Sequence, residues 1–190
     1  MHSTSNTLQD YREILICVAQ RSIQQGLETQ QPGSISVFEY DSLLQAPRAT
    51  FVTLQKNKEL RGCIGTLEAY QPLVVDVSKN AFSAAFQDPR FPPVTHAECN
   101  ILEIHISVLS PPEPMSFESE QNLIDQLRPG IDGLILEDQN HRGTFLPSVW
   151  QSLSTAESFW TQLKLKAGLA KDHWSDSIKV SRYITEIIDS

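Results

Sequence analysis

Residues 100–109 place the tightest limit on what this chain can fold into. Leu102, Ile104, Ile106 and Val108 share one parity, and Glu103, His105 and Ser107 share the other. Side chains of an extended strand alternate between faces, so the run predicts a strand with one face on a core and one face open. A strand that is wet on one side belongs in an antiparallel sheet, because parallel sheets bury both faces. Glu103, His105 and Ser107 could also form an acid–base set, although the alternation explains them without any chemistry.

The densest chemistry lies upstream, in Leu60-Arg61-Gly62-Cys63-Ile64-Gly65, where a guanidinium, a thiol and two glycines fall within one hexapeptide. It follows the strand-like Thr50-Phe51-Val52-Thr53-Leu54, and a turn at Lys56-Asn57-Lys58 would join the two as a hairpin. Alternation then puts Arg61 and Cys63 on one face and Leu60 and Ile64 on the other. Gly62 and Gly65 weaken a strand but let another backbone or a ligand approach closely.

Elsewhere the pattern alternates helices with short strands. Leu8, Tyr11, Leu15, Val18, Ala19 and Ile23 recur at helical spacing as far as Gly26, with Thr7 and Asp10 as a capping pair. Cys17 within that helix reads as a small core residue. Pro72 opens a second helix with Leu73, Val77, Ala81, Ala84 and Ala85 on one face. The loop Asp88-Pro89-Arg90-Phe91-Pro92-Pro93 is stiffened by its prolines and holds a charge and a ring at low entropic cost. It can line a site; equally, Asp88 can cap locally while Arg90 pairs with a nearby carboxylate.

Ser119 opens a short helix reaching residue 127, and residues 131–136 and 143–146 form a second hairpin. Its polar turn spans residues 137–142, with His141 and Arg142 solvated at the tip. Ser154 and Glu157 make a capping box for a helix carrying Phe159, Trp160, Leu163 and Ala167, closed by Gly168. Residues 179–188 are expected to return as a strand beside the first hairpin.

Composition removes several function classes. With a formal charge of −8 and scattered Lys and Arg, no nucleic-acid groove is expected, because phosphate binding needs clustered positive charge. The sequence has no stretch long enough to cross a bilayer and no basic-then-apolar leader, so no membrane association and a cytoplasmic location are expected. Cys17, Cys63 and Cys99 are odd in number and far apart, which predicts reduced thiols and no disulfide framework. No close ligand pairs suggest a metal, and no glycine-rich phosphate loop suggests a nucleotide, so no cofactor is expected.

Cys63 as a nucleophile would need a thiolate, which Arg61 on the same face would favour, and a base, for which His105, His96 and His141 are candidates. The alternative is that Cys63 packs while Arg61 binds a carboxylate or phosphate, or bridges to Asp88. That second reading predicts that Arg61→Ala leaves folding nearly intact and abolishes partner binding.

The hexapeptide resembles the signature of the AMMECR-type domain. So do Leu67-Glu68-Ala69, Asp88-Pro89-Arg90-Phe91-Pro92-Pro93, Ser107-Val108-Leu109-Ser110-Pro111-Pro112, Pro129-Gly130-Ile131-Asp132-Gly133-Leu134, Phe145-Leu146-Pro147-Ser148-Val149-Trp150 and Lys166-Ala167-Gly168-Leu169. The motifs keep the family's order over roughly residues 8–188. The resemblance implies one α+β domain over residues 1–190, of which the polar start at residues 1–6 is expected to be disordered. It implies two lobes, each an antiparallel sheet with flanking helices, and a cleft between them that the hexapeptide faces. It also implies the company of Memo-like and radical-SAM proteins, as protein A of the bacterial AmmeMemoRadiSam system. Together these readings give a binding or accessory module that takes a protein segment or a sizeable ligand through Gly62, Gly65, Asp88, Arg90, Phe91, Glu103 and His105. The alternative is a hydrolase or transferase using Cys63 and Arg61 with a histidine.

Overall fold

The first helix begins where Thr7 and Asp10 make it begin. The Thr7 amide and hydroxyl donate to Asp10 Oδ2 at 2.7 and 3.0 Å, closing a 3₁₀ turn at Leu8–Tyr11 that runs into helix α1, Arg12–Thr29. The computed structural model describes residues 7–190, so the expected disordered start at residues 1–6 lies outside the described residues. Helix α1 continues past Gly26 to a left-handed cap at Gln30. Gly26 serves packing instead: a Cβ there would lie 2.3 Å from the Phe86 ring and 2.8 Å from that of Phe82.

The chain divides into two units, residues up to Leu109 with Glu186–Ser190, and Ser110–Thr185. In the first, strands β1, Thr50–Lys56, and β2, Glu59–Gly65, form the expected hairpin. Its turn residues Asn57 and Lys58 have φ of 54° and 65°, the left-handed pair that matches strand twist in a two-residue turn. Strand β3, Leu102–Leu109, pairs antiparallel with β1, and β8, Thr185–Asp189, completes the order β2-β1-β3-β8. Helices α1 and α3, Leu73–Phe86, bury Leu15, Val18, Ile23, Val74 and Val77 against Val52, Leu54, Ile104 and Ile106 of the sheet. Two single-turn helices, α2 at Ser42–Gln45 and α4 at His96–Cys99, complete the unit.

One fully buried carboxylate ties the hairpin to its helix. Asp76 of α3 accepts from the Thr50 amide (2.8 Å) and hydroxyl (2.7 Å), the Thr66 hydroxyl (3.0 Å), Gln71 Nε2 (2.8 Å) and Asn80 Nδ2 (2.9 Å). Buried charge is tolerated only when its oxygens are saturated in this way.

The second unit carries the sheet β4-β7-β5-β6, built from Glu113–Pro114, Lys179–Tyr183, Gly133–Asp138 and His141–Phe145, with helices α5, Glu120–Asp125, and α6, Ala156–Lys166. Trp150 stacks on Phe159 at 3.9 Å and donates to the Asp132 carbonyl, so an indole in the core keeps its polar atom satisfied. Buried Lys164 is paired with Glu120 at 2.5 Å. Both sheets are antiparallel and the fold is α+β, as the sequence led us to expect.

Three local expectations are corrected. The second hairpin turn shrinks from residues 137–142 to Gln139 and Asn140, because Asp138 is drawn into the strand by Ser175, Ser177 and His173. Helix α6 is capped by Thr155, whose hydroxyl accepts from the Ser158 amide, one residue after the predicted Ser154. The terminal run divides at Ile184, giving β7 to the second sheet and β8 to the first.

Because Asp76 answers five donors, Asp76→Ala is expected to cost at least about 3 kcal/mol, with Asp76→Asn intermediate. Urea unfolding followed by circular dichroism measures both; a loss below 1 kcal/mol for Asp76→Ala would contradict the anchoring role.

Candidate functional site

The hexapeptide strand carries a bulge. Leu54 lies opposite Gly62 and Gln55 opposite Leu60, which leaves Arg61 as the extra residue. A bulge interrupts alternation and re-aims a side chain. Arg61 is 9% exposed, and its Nε and Nη2 fork onto the two oxygens of Glu98 at 3.0 and 3.1 Å. Glu98 lies in α4, which packs on α1, so Arg61 runs to the helix side of the sheet. The same carboxylate takes Lys56 Nζ at 3.0 Å and the Thr95 amide and hydroxyl at 3.1 and 3.0 Å. Arg61 and Cys63 therefore do not form the one-faced unit that strict alternation predicts.

Cys63 faces the other side, with Sγ 3.2 Å from the Thr53 hydroxyl. Its backbone, on the edge strand, is met by the proline-rich loop. The Cys63 amide donates to Asp88 Oδ2 at 2.9 Å, and Arg90 Nη2 donates to the Cys63 carbonyl at 3.2 Å. Arg90 forks back onto Asp88 through Nε at 2.9 Å and Nη2 at 2.7 Å, and its guanidinium stands 5.5 Å from the Phe91 ring. The Asp88 side chain is 2% exposed and that of Arg90 54%, so the acid is an anchor and the base a displayed group. Both local pairing and site-lining were open for this loop; the pairing is present, between Arg90 and Asp88 themselves.

Electrostatics follow from these pairs. Arg90 holds the Asp88 carboxyl well below the usual carboxylate range, helped by the Cys63 amide and opposed by burial. Arg61, then Lys56 and Thr95, do the same for Glu98 against its burial.

Register assembles a polar row on the face of the sheet away from the helices. Thr53 lies opposite Cys63 on one side and His105 on the other. His105 Nδ1 is 2.7 Å from Asp189 Oδ1 on β8, and its Nε2 is buried with no hydrogen-bond partner among the described residues. Exposed Glu103 shares this face, opposite Gln55. The glycines admit the chain itself: a Cβ on Gly62 would sit 2.1 Å from the Ala84 carbonyl oxygen, and one on Gly65 2.3 Å from the Phe51 ring. Of the other candidate bases, His96 lines a cavity of about 550 Å³ with Phe82, Phe86 and Val94, and His141 bonds the Ala167 carbonyl in the second unit.

Sequence reasoning thus named Cys63, Asp88, Arg90, Glu103 and His105 but missed Thr53, Glu98 and Asp189. For Glu98 a signal existed, since Thr95-His96-Ala97-Glu98 is a capping-box pattern, and the box forms. Nothing local marks Asp189 as the partner of His105. Among the described residues no three of His, Cys, Asp and Glu gather as metal ligands, and no helix is long and apolar enough to cross a membrane.

Fold and site define an α+β protein whose hexapeptide strand is braced by two arginine–carboxylate pairs. The chain belongs to the AMMECR1 family, whose profile matches residues 16–188. It is 36% identical over 163 residues to a protein of Methanocaldococcus jannaschii, covering 82% of this chain and 79% of that one. A protein of Methanothermobacter thermautotrophicus is 42% identical over 142 residues, 74% of each chain. The crystal structure of an uncharacterized protein from Pyrococcus horikoshii superposes with a TM-score of 0.82 at 33% identity, covering 94% of this chain and 91% of that one.

Arg61→Ala, expected from sequence to spare folding, is now expected to cost about 2 kcal/mol by leaving the half-buried Glu98 with only Lys56 and Thr95 as partners; thermal unfolding measures it. Asp88 and Glu98 have lowered folded-state values, so their contribution is complete above the unfolded carboxylate range and is lost as pH falls below about 5. Urea midpoints between pH 5 and 2 are therefore expected to decline, and to decline less steeply in Asp88→Asn. An equal slope in that variant would remove Asp88 from the acid response.

Proposed function

We propose that this chain is a binding or accessory module that works with Memo-like and radical-SAM proteins, as one domain of two lobes. Its recognition group is the Arg90–Phe91 pair beside Cys63, with Glu103 and His105 on the adjoining sheet face. The observation that carries this reading is the double anchorage of Arg90: its guanidinium is fixed by Asp88, and Asp88 by the Cys63 amide. An exposed guanidinium held in one pose next to an aromatic ring loses little freedom when a carboxylate-bearing segment docks on it. Gly62, Gly65 and Arg61 support that display from beneath, through α3, Phe51 and Glu98.

A second reading, a Cys63-dependent hydrolase or transferase, is favoured by the row Cys63, Thr53, His105 and Asp189. It is the weaker one, because the thiol's hydrogen-bond partner is a threonine hydroxyl and Arg61 is committed to Glu98.

Affinity for a Memo-like protein, measured by calorimetry, separates the two. Phe91→Ala is expected to weaken binding at least about tenfold with unfolding temperature unchanged, the size of a truncated aromatic anchor, while Cys63→Ser binds normally. If Cys63 alkylates with a strongly depressed thiol pKa and Phe91→Ala binds as well as the parent, the enzyme reading replaces this one.

A further inference from the structure

Two of the three cysteines, both expected to be reduced thiols and Cys17 a core residue, open onto the same hollow. Cys17 of α1 and Cys99, the last residue of α4, line a space of about 370 Å³ with Gln20, Arg21, Gln24, Asn100 and Leu102. Cys17, Gln20, Arg21 and Gln24 form one stripe of α1, since residues three, four and seven apart share a helix face. Both thiols are free and half-buried, and burial pushes the Cys99 thiol up. The hollow is polar, and Arg21 on its wall offers a positive charge.

We propose that Cys17 and Cys99 are a redox dithiol that closes to an intramolecular disulfide by exchange with a glutathione-type disulfide. Arg21 disfavours a metal cation between the sulfurs and suits the carboxylates of such a tripeptide. The Cys17 thiolate attacks one sulfur of the oxidant, the oxidant's S–S bond breaks, and one glutathione leaves as its thiolate. Cys99, as the resolving thiol, then attacks the Cys17 sulfur of the mixed disulfide and expels the second glutathione. The pair gives up two protons and two electrons, and the oxidant becomes two thiols.

A disulfide needs Cα atoms roughly 5.5–6 Å apart. The approach this requires falls on α4, a single turn that already packs on α1 and is followed by the turn at Asn100 and Ile101. Glu98 precedes Cys99 and holds Arg61 and Lys56, so closure pulls on the anchor of the hexapeptide bulge. This inference goes beyond the binding reading and stands without it.

The full chain is equilibrated under native conditions with glutathione disulfide, quenched with N-ethylmaleimide, and examined by intact mass and tryptic mapping. Alkylatable thiols are expected to fall from three to one, Cys63, with no retained glutathione and a link between the peptides carrying Cys17 and Cys99. Cys99→Ser is expected to stop at a glutathione adduct on Cys17, and Cys63→Ser to leave the link intact. Three thiols still alkylated, a link that includes Cys63, an intermolecular link, or adducts on Cys17 and Cys99 without a cross-link would each overturn the proposal.

Discussion

A carboxylate without solvent contact holds the first unit in register. Asp76 sits in the first turn of α3, where helix amides favour negative charge, and takes hydrogen bonds from residues at the start of β1 and just beyond the end of β2. With that end pinned, α3 lies along the hairpin closely enough that Ala84 occupies the space a side chain on Gly62 would need. The far end of the helix then delivers Asp88 to the Cys63 amide. The position of the displayed Arg90 is therefore set by a charge at the opposite end of the helix.

The hexapeptide strand is an edge, and edges left bare invite other strands. Here the backbone of Cys63 is satisfied by side chains, with Asp88 accepting and Arg90 donating where a neighbouring strand would stand. β8, the opposite edge, is treated alike: Gln9 and Arg12 donate to the carbonyls of Ile187 and Asp189. On the helix side, the second arginine of the region is spent on Glu98. Two guanidiniums that look equivalent in the sequence thus do different work, one buried as a brace and one held out to solvent.

Much of this was legible in the residues. The alternation at Leu102, Ile104, Ile106 and Val108 gave β3 and its buried face, and Asn57-Lys58 sits where the hairpin turns. What escaped is what depends on distance through space. A bulge is invisible to period-two reasoning, which puts Arg61 on the face of Cys63, whereas the register shift at Leu54 and Gln55 sends it to Glu98. The division at Ile184 was unreadable because both halves of the terminal run look like one strand. The Asp189–His105 contact joins positions brought together only by that division. The polar residues 137–142 suggest a solvated turn longer than the one that forms, since Asp138 has three side-chain partners of its own.

The first sheet takes its fourth strand from beyond the whole of the second unit. During translation β1, β2 and β3 emerge together, yet the outer side of β3 has no native neighbour until the ribosome has finished every residue up to β8. A nascent chain paused inside the second unit therefore exposes an unpartnered strand edge, open to pairing with other chains until β8 is made.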